Sequence, residues 1–264
     1  SYQCAELFQK YNLLWWAAGV RCTNVVKEDI VHYKKNGCCG LKFGIESGSQ
    51  TMLDIMEKKF KVEDIKKAIF TCYDNGLYSP PVGYLLGMPG ESMKTAMETG
   101  KMMGEISARI GISPGLIFGA IDPYYAIPLV GTPLYEYGRQ LGLIGQNIDE
   151  EEKYLELVSN VGAYKRYYIN FNGAPMSEVV FWDMLIFLEA TRTYEKLTNN
   201  KTLSTEWEKK FKIVTKVKGL NPHVRSKQKK VRIMGDAGEK EDLSFNQYFI
   251  TNFLKQHVVF NKFL

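Results

Sequence analysis

The chain has 264 residues, 45% of them hydrophobic, enough to build one large domain with a full core, or a domain and a half. It contains no run of about 18 apolar residues and opens without a basic-then-apolar signal pattern, so it reads as a soluble, cytoplasmic protein. Its net charge is +5, and its five cysteines (Cys4, Cys22, Cys38, Cys39 and Cys72) are odd in number with no CxxC spacing, which argues against a disulfide framework and a zinc knuckle. They read as small buried hydrophobes. The first residue is Ser1 and the opening QCAELFQKYN has the character of a helix interior, so the chain is expected to be a piece of a longer one.

In chain order, a helix over residues 3–11 leads into Leu13-Leu14-Trp15-Trp16-Ala17-Ala18, an apolar run that predicts a strand buried on both faces. It ends at Gly19-Val20-Arg21, which places Arg21 at the strand exit, either as a surface residue or beside a ligand crevice. Thr23 or Asn24 is expected to cap a helix reaching Asn36, with Val26, Ile30 and Tyr33 on one face and Gly37 as its stop. The central stretch follows, Leu41 to Gln50. Leu41, Phe43 and Ile45 alternate with Lys42 and Gly44 between Gly40 and Gly48, predicting a buried strand that ends in a tight turn.

Glu46 falls at the C-terminal tip of that strand, the end that faces the ligand crevice in α/β folds. A carboxylate there can accept two hydrogen bonds from a vicinal diol such as a ribose, and Ser47, Gly48 and the following amides suit an anionic group. The alternative is that Gly48 makes the turn, Ser49 caps the next helix and Glu46 is solvated. Met52, Ile55 and Met56 mark a short helix. Val62, Ile65, Ala68, Ile69 and Cys72 mark another, opened by Glu63-Asp64 and stopped by Gly76.

Val82 to Leu86 predicts a third strand, ending on the glycine-rich turn Gly87-Met88-Pro89-Gly90-Glu91, whose amides could grip a planar base or a phosphate-like group. A helix from Ser92 to Ile110 follows, then a fourth strand over Leu116 to Ile121 with Asp122 to Tyr125 at its exit. Thr132-Pro133 starts the next helix and Gly142 closes it. Strand and helix in alternation with short connections give a parallel sheet with right-handed crossovers, half or more of a (β/α) barrel.

Four blocks in this order carry a family resemblance: Trp15 to Arg21, Phe43-Gly44-Ile45-Glu46-Ser47-Gly48-Ser49, Leu86-Gly87-Met88-Pro89-Gly90-Glu91, and Gly131-Thr132-Pro133-Leu134-Tyr135. Together they resemble the radical S-adenosylmethionine (radical SAM) enzymes, and within them the branch that often carries an N-terminal cobalamin-binding domain. The resemblance covers residues 4–144 and continues more weakly through Tyr167 to Asn172 as far as Leu197. It implies a six-stranded partial barrel of which these strands are the third to sixth. It further implies that Glu46 holds the ribose hydroxyls of S-adenosylmethionine, with Ser47 and Gly48 near its aminocarboxylate. Gly87, Pro89 and their neighbours would support the adenine, and Arg21 would help bind the methionine carboxylate. Glu91 falls one residue late for the family's fifth-strand pattern.

The family's CxxxCxxC motif, which supplies three thiolates to a [4Fe–4S] cluster, is absent from these 264 residues. The resemblance therefore implies a parent enzyme whose upstream part holds the cluster, and a chemistry of reductive S-adenosylmethionine cleavage or methyl transfer through cobalamin. The alternatives are a degenerate relative that binds a nucleoside-like ligand or a protein partner, and an unrelated α/β binding domain.

The organisation expected is residues 1–144 as the C-terminal part of the barrel, 145–198 as a helical extension and 199–264 as a basic segment. In the extension, a helix over 149–158 carries Tyr154, Leu155 and Val158, and a long helix from Met176 to Leu197 places Val180, Met184, Phe187, Thr191 and Tyr194 on one face. The basic segment holds fourteen Lys/Arg against six Asp/Glu. Its run Lys227, Lys229, Lys230 and Arg232 has no interleaved aromatics, so no nucleic-acid partner is expected. Phe245 to Leu264 predicts a docking helix. A small-molecule substrate is expected over the barrel mouth.

Overall fold

The structure, a computed structural model, describes residues 2–77, 79, 81–114, 123–159, 169, 171–172, 176–200, 233–234 and 240–241. The described strands are β1 (Trp15–Val20), β2 (Cys38–Glu46), β3 (Pro81–Leu86) and β4 (Pro123–Tyr125), forming one sheet in that order, and a separate antiparallel pair β5 (Ile233–Met234) and β6 (Lys240–Glu241). β1 pairs with β2 and β2 with β3 in parallel, with Trp16 opposite Gly40 and Glu46 opposite Tyr84. The helices are α1 (Tyr2–Lys10), α2 (Lys27–Lys35), α3 (Gln50–Ile55), α4 (Val62–Asp74), α5 (Met93–Ile110), α6 (Pro133–Gln140), α7 (Ile148–Ser159) and α8 (Met176–Thr198). Helices make the crossovers between the parallel strands. This is the α/β arrangement of a partial (β/α) barrel with a mainly helical C-terminal extension.

The chain divides into two compact units. The first comprises residues 1–84, 92–123 and 184–203, and the second residues 85–91, 124–183 and 204–264. In the first unit, the Leu41, Phe43 and Ile45 face of β2 is buried, as are Ile65, Ala68, Ile69 and Cys72 of α4, so the period-2 and period-3.6 patterns meet in one core. α4 opens with Glu63 and Asp64, the latter accepting the Lys61 amide at 2.8 Å, and is followed by Gly76 at φ +70°. α5 has Ser92 as its N-cap, accepting from the Thr95 amide, and Gly111 in the left-handed region at its end. In the second unit, Thr132 caps α6 with Pro133 at its first turn, and Tyr135, Ile144, Tyr154 and Ile169 form a small core.

Several elements depart from the expectations. β1 is not buried on both faces: it stands at the edge of the described sheet, and Leu14 and Trp16 are 80% and 59% exposed. Trp15, Ala17 and Val20 are half-buried; Trp15 donates from Nε1 to the Asn36 carbonyl at 2.7 Å and packs edge-on to Tyr33, while Lys42 Nζ sits 4.6 Å above the Trp16 ring. Residues 22–24 form a 3-10 turn, so α2 begins only at Lys27 and takes neither Thr23 nor Asn24 as its cap; Val26 is exposed. β2 starts at Cys38, three residues before the predicted strand, because Trp15 pairs with Cys38 and carries the ladder across Gly40.

The predicted fourth strand, Leu116 to Ile121, lies outside the described residues; β4 is made by Pro123–Tyr125, expected to be its exit. Most of the basic segment and the predicted helix over 245–264 also lie outside them. Along α8, Val179, Trp182, Leu185, Ile186, Ala190 and Thr191 are buried; of the predicted face, Thr191 is among them, Phe187 and Tyr194 are half-buried, and the side chains of Val180 and Met184 lie outside the described ones. Gly100 and Gly104 of α5 lie against Ile186 and Ala190 of this helix. A Cβ on either would lie 2.5 Å from a backbone carbonyl oxygen of α8, that of Ile186 or Ala190, so the two helix backbones meet where α5 has no side chain.

Candidate functional site at the strand tips

Glu46 closes β2 with φ at +57°, the left-handed region that a residue with a Cβ enters only where its surroundings impose it. Hydrogen bonds immediately after it provide the constraint. The Ser47 amide donates back to Ile45 O at 2.6 Å, the Gly48 amide donates to Thr99 Oγ1 at 2.9 Å, and the Ser49 amide donates to Ser47 Oγ at 3.1 Å. Thr99 Oγ1 donates to Thr95 O at 3.2 Å and shares a hydrogen bond with the Ser47 hydroxyl at 3.2 Å. Ser49 Oγ donates to Glu98.

Ser47 and Ser49 are therefore buried under α5, with their amides used internally, and Ser49 does not cap α3 through its side chain. Gly48 is small because α5 lies against it. A Cβ there would lie 2.6 Å from the Thr99 Cα and 3.0 Å from the Met102 Cβ. Gly48→Ala is accordingly expected to cost about 1–3 kcal/mol, from strain against helix backbone. Denaturant titration of the full-length protein checks this, and a variant as stable as wild type would show that α5 gives way.

The Glu46 carboxylate turns out of this clamp. Its Oε1 receives Lys58 Nζ at 2.9 Å, in a pair with roughly a quarter to a third of each side chain exposed. Gly44, two residues back on the strand, leaves the space Oε1 occupies: a Cβ there would lie 3.1 Å from it. Lys58 comes from the tight link between α3 and α4. Its neighbours Glu57 and Lys59 both have positive φ, at +51° and +55°.

The link is held at several points: the Lys58 amide donates to Leu53 O at 3.0 Å, Gln50 donates to Phe60 O at 3.4 Å, and the same side chain accepts from the Val62 amide at 3.1 Å. The Arg21 guanidinium donates to Lys58 O at 3.0 Å. Arg21 and Glu46 are thus joined through Lys58, a residue the sequence reading did not single out. Three of the five non-glycine residues with positive φ among the described residues, Glu46, Glu57 and Lys59, lie at this one place. Such clustering of backbone strain is characteristic of binding and catalytic sites.

The tip of β3, in the second unit, is built differently. Gly87 has φ +81°, and Met88-Pro89-Gly90-Glu91 closes a turn with the Glu91 amide donating to Met88 O at 3.1 Å. Proline stands at the second position and Gly90, at φ +80°, at the third, as a type II turn requires. Glu91 is 6% exposed and folds under its own turn, Oε2 accepting from the Gly87 amide at 2.6 Å. Burial pushes its carboxyl up to about 8, against the opposing pull of the Gly87 and Met88 amides. Asn172 Nδ2 fastens the turn from outside, donating to Glu91 O at 2.6 Å and Met88 O at 3.3 Å. Burial also raises Tyr125, with the negative charges of Asp183 and Glu91 adding to it. Neither the burial of Glu91 nor the grip of Asn172 was visible in the sequence, where Glu91 read as part of the glycine-rich turn and Asn172 only as the end of the weaker stretch of resemblance.

Among the described residues no group of three His, Cys, Asp or Glu side chains could hold a metal ion. Cys22, Cys38 and Cys72 are buried, and burial raises all three thiols, the reverse of what a thiolate ligand needs; Cys4 and Cys39 are exposed. An iron–sulfur cluster does not fit these residues. None of the described helices is long and apolar enough to cross a membrane.

No protein-family model matches the chain. It is 28% identical over 101 residues to the anaerobic magnesium-protoporphyrin IX monomethyl ester cyclase of Rubrivivax gelatinosus, covering 38% of this chain and 18% of that protein. It is 38% identical over 118 residues to the uncharacterized protein MJ0486 of Methanocaldococcus jannaschii, covering 44% of this chain and 33% of that protein. The chain thus spans a third or less of the length of these relatives. Among solved structures it is similar to the methyltransferase TsrM of Kitasatospora setae, described as a radical S-adenosylmethionine enzyme with tryptophan substrate and a SAM analog bound. That match has a TM-score of 0.36 and 18% identity, over 50% of this chain and 23% of the other.

Proposed function

We propose that this chain is the cofactor-holding portion of a radical S-adenosylmethionine enzyme, with Glu46 accepting hydrogen bonds from the ribose hydroxyls of S-adenosylmethionine. One observation carries the reading: a carboxylate at the C-terminal tip of a central parallel strand, kept in a left-handed backbone conformation by a buried clamp. A carboxylate offers about four lone-pair positions and Lys58 takes one side of it, which leaves the rest for a vicinal diol. Ser47 and Gly48 serve by fixing the tip. Arg21, exposed and anchored through one nitrogen to Lys58 O, is the cation assigned to the methionine carboxylate. Gly87 and Pro89 enter the reading through the family resemblance, as supports of the adenine. The four ordered sequence blocks and the sequence relationship to the Rubrivivax cyclase support it.

Because a [4Fe–4S] cluster does not fit the described residues, the reading assigns this chain binding and orientation of the substrate-cofactor, with the cluster ligands elsewhere in the parent protein. The finer branch, methyl transfer with an N-terminal cobalamin-binding domain, is part of the proposal. A non-catalytic relative binding a nucleoside-like ligand or a protein partner is the second reading. Iron analysis of the anaerobically purified full-length protein separates the two.

Glu46→Gln in the full-length protein is expected to weaken S-adenosylmethionine binding about 10- to 100-fold, the loss of one or two hydrogen bonds to a charged acceptor. Isothermal titration calorimetry checks this. Binding equal to wild type would remove Glu46 from the site.

A further inference from the structure

We infer that Lys58 is a positioning residue for ligand recognition: it orients the Glu46 carboxylate so that Oε2 meets the hydroxyls of a ribose. The inference rests on the S-adenosylmethionine reading above and deepens it by assigning the residue that sets the geometry of the diol contact.

Most exposed lysine–glutamate pairs are two flexible side chains that meet by chance of proximity and contribute little. This pair is constructed from both ends. On one side Glu46 is fixed by the β2 ladder to Tyr84 and by the Ser47–Ser49 turn under α5, and Gly44 vacates the space that lets Oε1 fold back along the strand. On the other, the link from Met56 to Lys61 holds Lys58 by its own amide to Leu53 O and by its own carbonyl to Arg21, with Gln50 bonded to the chain on the far side. Glu57 is the left-handed residue that ends α3, with the Lys58 amide closing the turn on Leu53 O, and Lys59 is left-handed as well, so the backbone is fixed on both sides of Lys58. These bonds hold the Lys58 backbone where its side chain reaches the strand tip.

A carboxylate that accepts Lys58 on Oε1 cannot rotate freely, so Oε2 is presented in one direction. Without the ammonium the carboxylate would turn about its terminal bond, and a two-point contact to neighbouring hydroxyls would lose its alignment. The role is therefore selective: it matters for a ligand with both hydroxyls and little for one lacking the 2′-hydroxyl.

The test uses the full-length protein and S-adenosylhomocysteine, whose binding needs no chemistry, alongside its 2′-deoxyribose analogue. Calorimetric affinities are compared for wild type, Lys58→Met, Lys58→Arg and Glu46→Gln, with melting temperatures to confirm folding. Lys58→Met is expected to weaken S-adenosylhomocysteine about tenfold while barely changing the 2′-deoxy analogue, so that discrimination between the two collapses. Lys58→Arg, which keeps a donor at the carboxylate, is expected to restore most of it. If Glu46→Gln lowers affinity but Lys58→Met keeps both affinity and discrimination, the role of Lys58 is overturned while the ribose assignment stands. If Glu46→Gln binds as wild type does, the ribose assignment itself falls and this inference with it.

Discussion

Alanine at Gly100 or Gly104 is expected to destabilise the protein by about 1–3 kcal/mol each, and the double variant by about 3–5 kcal/mol. In an isolated helix the same exchange would be favourable by about 1 kcal/mol, because glycine is the poorest helix former after proline. Here the sign reverses. The new methyl at Gly100 would lie 2.5 Å from Ile186 O and 2.8 Å from the Glu189 Cβ, and at Gly104 2.5 Å from Ala190 O and 2.6 Å from the Thr193 Cβ. A main-chain carbonyl of a packed helix has no rotamer in which to retreat, so α8 must move as a whole or lose its seat. Urea titration of the single and double variants measures the effect. A gain in stability at either position would show that α5 and α8 do not meet through these glycines.

Stability is further expected to fall as pH rises from about 5 to 9, and Glu91 is the reason. Its carboxyl keeps a proton to about 8 in the folded chain against an ordinary value of 4.5. Between those values the folded state binds the extra proton, so this contribution is complete below the ordinary value and is lost as pH climbs through the folded one. Each unit of separation corresponds to about 1.4 kcal/mol, so the loss amounts to a few kcal/mol.

Glu91→Gln preserves a carbonyl oxygen for the Gly87 amide and cannot ionise, so it should flatten the profile and be the more stable protein above pH 8. Glu91→Ala removes the acceptor, leaving a buried amide unpaired, and should be less stable than wild type at pH 6 by about 1–3 kcal/mol. Melting curves from pH 5 to 9 decide. Parallel profiles for wild type and Glu91→Gln would mean that Glu91 is ionised throughout.

The readable parts of the fold are those specified locally. α4, α5 and α6 announce themselves by Glu63-Asp64, Ser92 and Thr132-Pro133 at their starts and Gly76, Gly111 and Gly142 at their ends, since caps act within one turn of the residues that make them. Strand β2 is readable from the alternation of Leu41, Phe43 and Ile45, which depends only on the pleat.

What could not be read depends on partners distant in the sequence. The apolar run at Leu13 to Ala18 gives no sign of whether a neighbouring strand lies on each side, and the structure places it at an edge. α8 carries apolar residues around most of its circumference, so the helical spacing alone does not say which of them meet α5, and that contact is made where Gly100 and Gly104 leave room for Ile186 and Ala190. Glu46 was singled out in the sequence because strand tips in α/β sheets face the ligand. Lys58 was not, because a lysine beside Glu57 and Lys59 in a short link is indistinguishable from a solvated one until the chain returns it to the strand. Gly48 read as room for a ligand; the structure fills that room with Thr99 and Met102.

The edge position of β1 within the described sheet has a consequence for pairing. Among the described residues its ladder is satisfied on one flank by β2, while the other flank presents backbone donors and acceptors beside the exposed side chains of Leu14 and Trp16. From Leu13 to Val20 the run contains neither proline nor a charged residue, the devices by which edge strands are kept from recruiting others. The cation of Lys42 above Trp16 shields one ring and no backbone. That flank is therefore where a further strand could add to the described sheet.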